Sequence, residues 1–272
     1  MSTLAPLLLA TFAAGIGSVW LAAALLRMGW LPGNSRGGDT HATQHLLSLA
    51  AGALLATAYM HLLPEALESP DGPKPLFTTL LVGLVFFFLL DKAELWHHGH
   101  EHHHEGHEGH GHAHHHDHAP RPLTGGWALI TGDSVHCFGD GVLIASAFVA
   151  DVRLGLVAAL AVLAHEVPHH IGDLVVMRTT SGDRRAALVK VSLAGAVTPL
   201  GGFVGWWLVD RLHEYLPYFL VVASSSFIYV ALADLIPQLQ KRLGARETIA
   251  QIVWLLAGIG LVTVASSLAH VH

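Results

Sequence analysis

Two stretches of the chain gather side chains that bind metal ions. One reads Asp133-Ser134-Val135-His136-Cys137-Phe138-Gly139-Asp140-Gly141, the other His165-Glu166-Val167-Pro168-His169-His170-Ile171-Gly172-Asp173. His136 and Asp140 are spaced i, i+4, which puts them on one face of a helix, about 6 Å apart at Cβ. His165 and His169 repeat that spacing, and Asp173 continues the line. Two neighbouring antiparallel helices carrying these pairs aim three imidazoles and a carboxylate at one point. Such a set suits a borderline-soft divalent ion such as zinc. His165-Glu166-Val167-Pro168-His169 also matches H-E-x-x-H, where two His hold zinc and the Glu is the general base of a metalloprotease. Two features weigh against hydrolysis. Pro168 interrupts a motif that needs regular helix. His136 with Asp140 fills the coordination that a hydrolase leaves open for water and substrate.

Both stretches lie inside apolar segments. The chain has 272 residues, 52% hydrophobic and 12% charged, with a mean hydropathy of +0.50. A soluble domain carries about 25% charged residues. Eight apolar segments stand out, over 3–26, 43–67, 75–96, 124–150, 153–177, 187–209, 216–239 and 248–269. Each is about long enough to cross the bilayer as a helix that satisfies its own backbone. The pattern predicts an all-α, polytopic membrane protein of eight spans, a single domain over 1–272. The first segment has no Lys or Arg ahead of its apolar run and no small-residue cleavage site. It reads as a retained span rather than a signal peptide. His136 falls near the middle of 124–150 and His165 at the midpoint of 153–177. The metal-binding pairs are thus expected near the bilayer midplane, between the fourth and fifth spans, where ionisable residues are costly and functional by default. Pro168 removes a backbone donor there and frees a carbonyl toward a water-lined path.

The cationic residues give an orientation. The first, third, fifth and seventh loops carry Arg27, Arg36, Lys92, Arg121, Arg178, Arg184, Arg185, Lys190, Lys241, Arg242 and Arg246; the others carry only Lys74, Arg153 and Arg211. Cytoplasmic loops hold the positive excess, so both termini are expected outside and the third loop inside. That loop, 97–118, is His at 13 of its 22 positions, mixed with Gly, Glu and Asp. It cannot bury a core and is expected to be a disordered cytoplasmic tether that collects metal weakly. The one cysteine, Cys137, excludes an intramolecular disulfide. A formal charge of −6 argues against a nucleic-acid partner. His61-Leu62-Leu63-Pro64-Glu65 in the second segment is similar to Asp234-Leu235-Ile236-Pro237-Gln238 in the seventh. The two helices run in opposite senses, as in the inverted repeats of transporters.

His136-Cys137-Phe138-Gly139-Asp140-Gly141 resembles the HNxxDG motif in the fourth span of ZIP (Zrt/Irt-like) metal transporters, and His165 to Asp173 resembles the HExPHExGD motif of their fifth. The resemblance runs over nearly the whole chain. It implies a transporter, not an enzyme, moving divalent metal into the cytoplasm, passively or coupled to protons, as a homodimer in the cell membrane. Zinc would be the transported substrate, with Cd2+, Fe2+ and Mn2+ as further candidate ions. It also implies two metal sites: His136, Asp140, His165 and His169 for the first, and Cys137, Asp140, Glu166 and His169 for the second. Asp140 and His169 would bridge them. The chain departs from the family at Cys137, where the motif has Asn, and at His170, where Glu is usual. At Thr198 some members place a carboxylate. These departures leave the first site intact and bear on the second. Along the path, His61 and Glu65 are expected at the outer mouth. Asp173 and Asp234 are expected toward the inner side, with His170 beside the site.

Overall fold

A computed structural model of the chain describes residues 3–28, 41–99, 125–181, 183–239 and 244–269. Among them, eight helices are long and apolar enough to cross a membrane: α1 Leu4–Arg27, α2 Thr43–Leu67, α3 Pro73–Leu90, α4 Asp133–Ala150, α5 Val152–Arg178, α6 Arg184–Arg211, α7 His213–Ala233 and α8 Ala245–Ser267. Helix continues past α3 to Gly99, and the helix of α4 begins at Gly125. No strand occurs among the described residues. The eight-span, all-α architecture is the one the apolar segments predict. Of the His-rich tract, 100–118 lie outside the described residues.

The joint between α4 and α5 sets everything about the centre. It is a single residue, Asp151, whose carboxylate accepts from the backbone N–H groups of Arg153 (2.8 Å) and Leu154 (3.2 Å). This satisfies two of the donors that a helix start leaves open. Gly155 sits where a methyl would overlap the Phe148 ring, so the hairpin closes tightly. Residues equally far from Asp151 therefore stand at the same depth on facing helices. His136 and Glu166 are each 15 positions away, and Asp133 and His169 are each 18 away.

Around this hairpin the helices form two groups. In one, α1, α4, α5 and α6 pack together; in the other, α2, α7 and α8 do so, with α3 on α7. Within each group glycines bring backbones into contact, as small residues do inside membranes. A Cβ on Gly201 of α6 would lie 2.9 Å from the Phe138 carbonyl carbon, and one on Gly205 would lie 2.8 Å from Val142 Cα, both in α4. In the other group, a Cβ on Gly258 of α8 would lie 2.9 Å from the Leu49 carbonyl carbon in α2. The groups meet mainly where α2 crosses α5, and the core they share includes Ala50, Ala53 and Leu54 of α2 and Ala158, Ala161 and Val162 of α5.

Three spans widen into π-helix, at Ala13–Gly17, Ala58–Leu62 and Val230–Leu235. Two of these fall in the matched strings of α2 and the seventh span. Leu63 donates to the Ala58 carbonyl and Ile236 to the Ala231 carbonyl, each five residues back and each just ahead of a proline. Pro64 and Pro237 have no N–H to give to the carbonyl four residues behind, and the turn before each relaxes to the wider form. The sequence likeness of the two strings is thus also a likeness of backbone.

Candidate metal centre

Four histidines, two carboxylates on each helix and one thiol do not spread along the bilayer; they concentrate on the facing sides of α4 and α5. Three groups form there, each with ligand atoms within 4.8 Å of one another. The first is His136, Asp140, His165 and Glu166. His165 Nε2 lies 3.2 Å from Asp140 Oδ2, and His136 Nε2 lies 3.2 Å from Glu166 Oε1. The two Nε2 atoms are 3.4 Å apart. The second group is Asp133, Cys137, Glu166 and His170. His170 Nε2 lies 3.1 Å from Glu166 Oε2, and Cys137 Sγ lies 3.7 Å from Asp133 Oδ1 and 4.0 Å from Glu166 Oε2. The third is Asp133, His169 and Asp173, with His169 Nδ1 3.3 Å from Asp173 Oδ2 and 3.7 Å from Asp133 Oδ1. Glu166 thus belongs to the first and second groups, and Asp133 to the second and third.

The groups are largely buried but not sealed. Cys137, Asp140, His165, Glu166, His170 and Asp173 are buried, while the side chains of His136 and His169 keep 30% and 38% of their surface. Those two rings are the exposed edge of the cluster. Asp140 Oδ2, Glu166 Oε1, His169 Nδ1, His170 Nε2 and Asp173 Oδ2 are buried and meet only other ionisable groups of the cluster. Burying ionisable groups costs stability even when they are paired, so five such groups facing one another form a cluster that stability alone does not explain.

The grouping departs from the expected pair of sites. Glu166, not His169, completes the first group, and His169 sits with Asp133 and Asp173. In the second group, Asp133 and His170 stand where Asp140 and His169 were expected, and Glu166 is the bridge on that side. The cause is depth. Glu166 stands about 1.5 Å along α5 from His165, whereas His169 stands about 6 Å along it, and the hairpin register sets Glu166 opposite His136 and His169 opposite Asp133. Glu166 and His170 then form one stripe, and His169 and Asp173 the other. On α4, Asp133 and Cys137 form a second i, i+4 stripe beside His136 and Asp140. Asp133 belongs to two of these groups and was not among the expected ligands, although its spacing from Cys137 and its register with His169 both mark it. Pro168 lies within an unbroken helix. His61 and Glu65 are not in the centre. They line a cavity of about 260 Å³ with Glu68, Asp151 and Arg153, at the Asp151 end of the hairpin. Asp234 lies in the π-helical turn of the seventh span, and its side chain is outside the described residues. Thr198 is buried on α6, its hydroxyl 2.6 Å from where a Cβ on Gly15 would stand.

Comparison with known proteins decides the family. The family model for the ZIP zinc transporter matches residues 3–118 and 91–266. This chain belongs to the ZIP zinc transporter family. Human zinc transporter ZIP4 is 30% identical over 279 residues, covering 83% of this chain and 42% of ZIP4. Zinc transporter ZIP13 of Pongo abelii is 27% identical over 243 residues, covering 83% of this chain and 67% of that protein. Zinc transporter ZIP10 of Danio rerio is 31% identical over 142 residues, half of this chain and 17% of its own length. The chain therefore spans less than half the length of two of these ZIP relatives.

Proposed function

We propose that the chain carries zinc across the membrane by passing the ion along the linked groups between α4 and α5. The observation that supports this is the sharing of ligands. An ion held by His136, Asp140, His165 and Glu166 can gain His170 and Cys137 while Glu166 stays bound. It can then gain His169 and Asp173 while Asp133 stays bound. Ligand exchange one atom at a time keeps a divalent ion coordinated in a medium where bare charge costs several kcal/mol. The cavity at His61 and Glu65 is the outer mouth of this path, and Asp234 lies toward its inner side. Both termini are outside and the His-rich loop is inside, so import ends beside a loop that collects metal. The protein works as a homodimer, and Cd2+, Fe2+ and Mn2+ are the competing ions.

The metalloprotease reading loses its basis in the same geometry. A zinc protease needs both His of H-E-x-x-H on one ion, yet His165 and His169 share no group among the described residues. The test is zinc entry into sealed vesicles that contain the purified full chain and an internal zinc indicator. Saturable entry with no cleavage of membrane peptides is expected. Absence of entry in correctly inserted protein would overturn the proposal.

A further inference from the structure

Ser18 lies on α1, one residue past the widened turn Ala13–Gly17, and is fully buried. Its hydroxyl donates to the Gly15 carbonyl three residues back. A hydroxyl has one proton to give, so toward its other neighbour, the ring of His170, it is an acceptor. His170 Nδ1 is 2.9 Å from Ser18 Oγ and is therefore the N–H donor of that pair. In the neutral ring this puts the proton on Nδ1 and leaves the lone pair on Nε2, the form that can bind a metal. His170 is itself 0% exposed, and its Nε2 has no hydrogen-bond partner. It faces Glu166 Oε2 at 3.1 Å and Asp133 Oδ1 at 3.8 Å, with the Cys137 sulfur in the same group. Lone pairs turned on one another in a buried place are held together by a cation between them, a proton or a metal ion. The donor set of one imidazole nitrogen, one sulfur and two carboxylates suits a soft or borderline divalent ion. Metal-binding histidines commonly give their second ring nitrogen to an outer partner that holds tautomer and ring angle. Ser18 stands in that place, reaching in from a span that supplies no ligand to any of the three groups.

We propose that Ser18 is the positioning residue that makes His170 a ligand, and that Asp133, Cys137, Glu166 and His170 form a site for thiophilic divalent cations, Zn2+ and Cd2+. The inference rests on the reading of the α4–α5 face as a metal path, but its test reads binding and not transport. Cys137 is the only cysteine in the chain. The ultraviolet charge-transfer band between thiolate and cadmium therefore reports this group alone, even with the His-rich loop present. The purified full chain is titrated with Cd2+, with Cys137→Ser as the variant that lacks the band. Ser18→Ala is expected to weaken the affinity read from the band by about 10–100-fold, the usual effect of losing such an outer partner. His170→Ala is expected to weaken it at least as much. The double variant is expected to match His170→Ala alone, because Ser18 acts through that ring. Wild-type affinity in Ser18→Ala or in His170→Ala would overturn the proposal. So would a double variant in which the two losses multiply, since Ser18 would then act on the helix packing and not on His170. A protein that shows this coupling yet admits no zinc to vesicles refutes the transport reading and leaves the site assignment standing.

Discussion

Gly201→Ala tests whether the packing of α6 holds the metal centre in place. The added methyl on α6 would stand 2.9 Å from the Phe138 carbonyl carbon, 3.0 Å from its Cα, and closer still to its oxygen. All three are backbone atoms, so no side chain can rotate out of the way. Restoring ordinary contact requires the two helices to part by about 1 Å, at a cost of about 1–3 kcal/mol. Phe138 lies midway between His136 and Asp140, so the displacement falls on the first group. Metal–ligand distances tolerate only about 0.2 Å. Zinc affinity should therefore drop by about 10–100-fold, as when an outer support of a metal site is removed, although residue 201 touches no ligand. Gly258→Ala is the matched comparison. Its methyl would stand 2.9 Å from the Leu49 carbonyl carbon, on the seam between α8 and α2 and away from the centre. Thermal unfolding in detergent and zinc titration of both variants, with 100–118 removed so that the loop does not mask the result, provide the assay. Both should lose stability to a similar degree, and only Gly201→Ala should lose affinity. Equal affinity losses, or wild-type affinity in Gly201→Ala, would refute the reasoning.

Glu166→Gln should lower zinc affinity and slow zinc entry together, because one carboxylate serves the first and second groups; equilibrium binding that stays at the wild-type level would show that Glu166 is not a ligand. Asp133→Asn should leave the first group's affinity intact and slow passage, since Asp133 belongs only to the second and third groups; this is read by comparing zinc titration with vesicle entry. Deletion of 97–118 should remove several weakly bound metal ions per chain and change the rate of entry only modestly. The binding it removes should fade below about pH 6.5, where imidazoles protonate and release metal. Metal counting at pH 7.5 and 5.5 checks the loop directly.

Much of this protein is legible in its sequence because a bilayer constrains the chain so strongly. Apolar runs of span length have only one way to satisfy their backbone, and the eight helices follow from them. The paired i, i+4 spacings likewise placed the chemistry on α4 and α5 at one depth. What they did not give was the rotation of each helix about its own axis. From His165, His169 lies about 40° and Glu166 about 100° around the helix in the same sense, and either can complete a group with His136 and Asp140. That choice depends on how α4 and α5 lean on α1 and α6, through contacts such as Gly15 with Gly195 and Gly141 with Thr198. The register was within reach, however. The one-residue joint at Asp151 pairs Asp133 with His169 by simple counting, and the Asp133–Cys137 spacing matches the His136–Asp140 spacing beside it. Ser18 was out of reach, because no pattern along α1 distinguishes it from a serine that only closes on its own helix.

On the proposed reading the ion sits between α4 and α5 with Glu166, and not His169, completing the first group. Diffraction at the zinc absorption edge, from crystals of the protein grown with zinc, locates the ion without assumption. A peak is expected, bonded at about 2.0–2.2 Å to the Nε2 atoms of His136 and His165 and to the carboxylates of Asp140 and Glu166. A peak bonded to His165 and His169 together, or zinc found only outside the α4–α5 face, would contradict it.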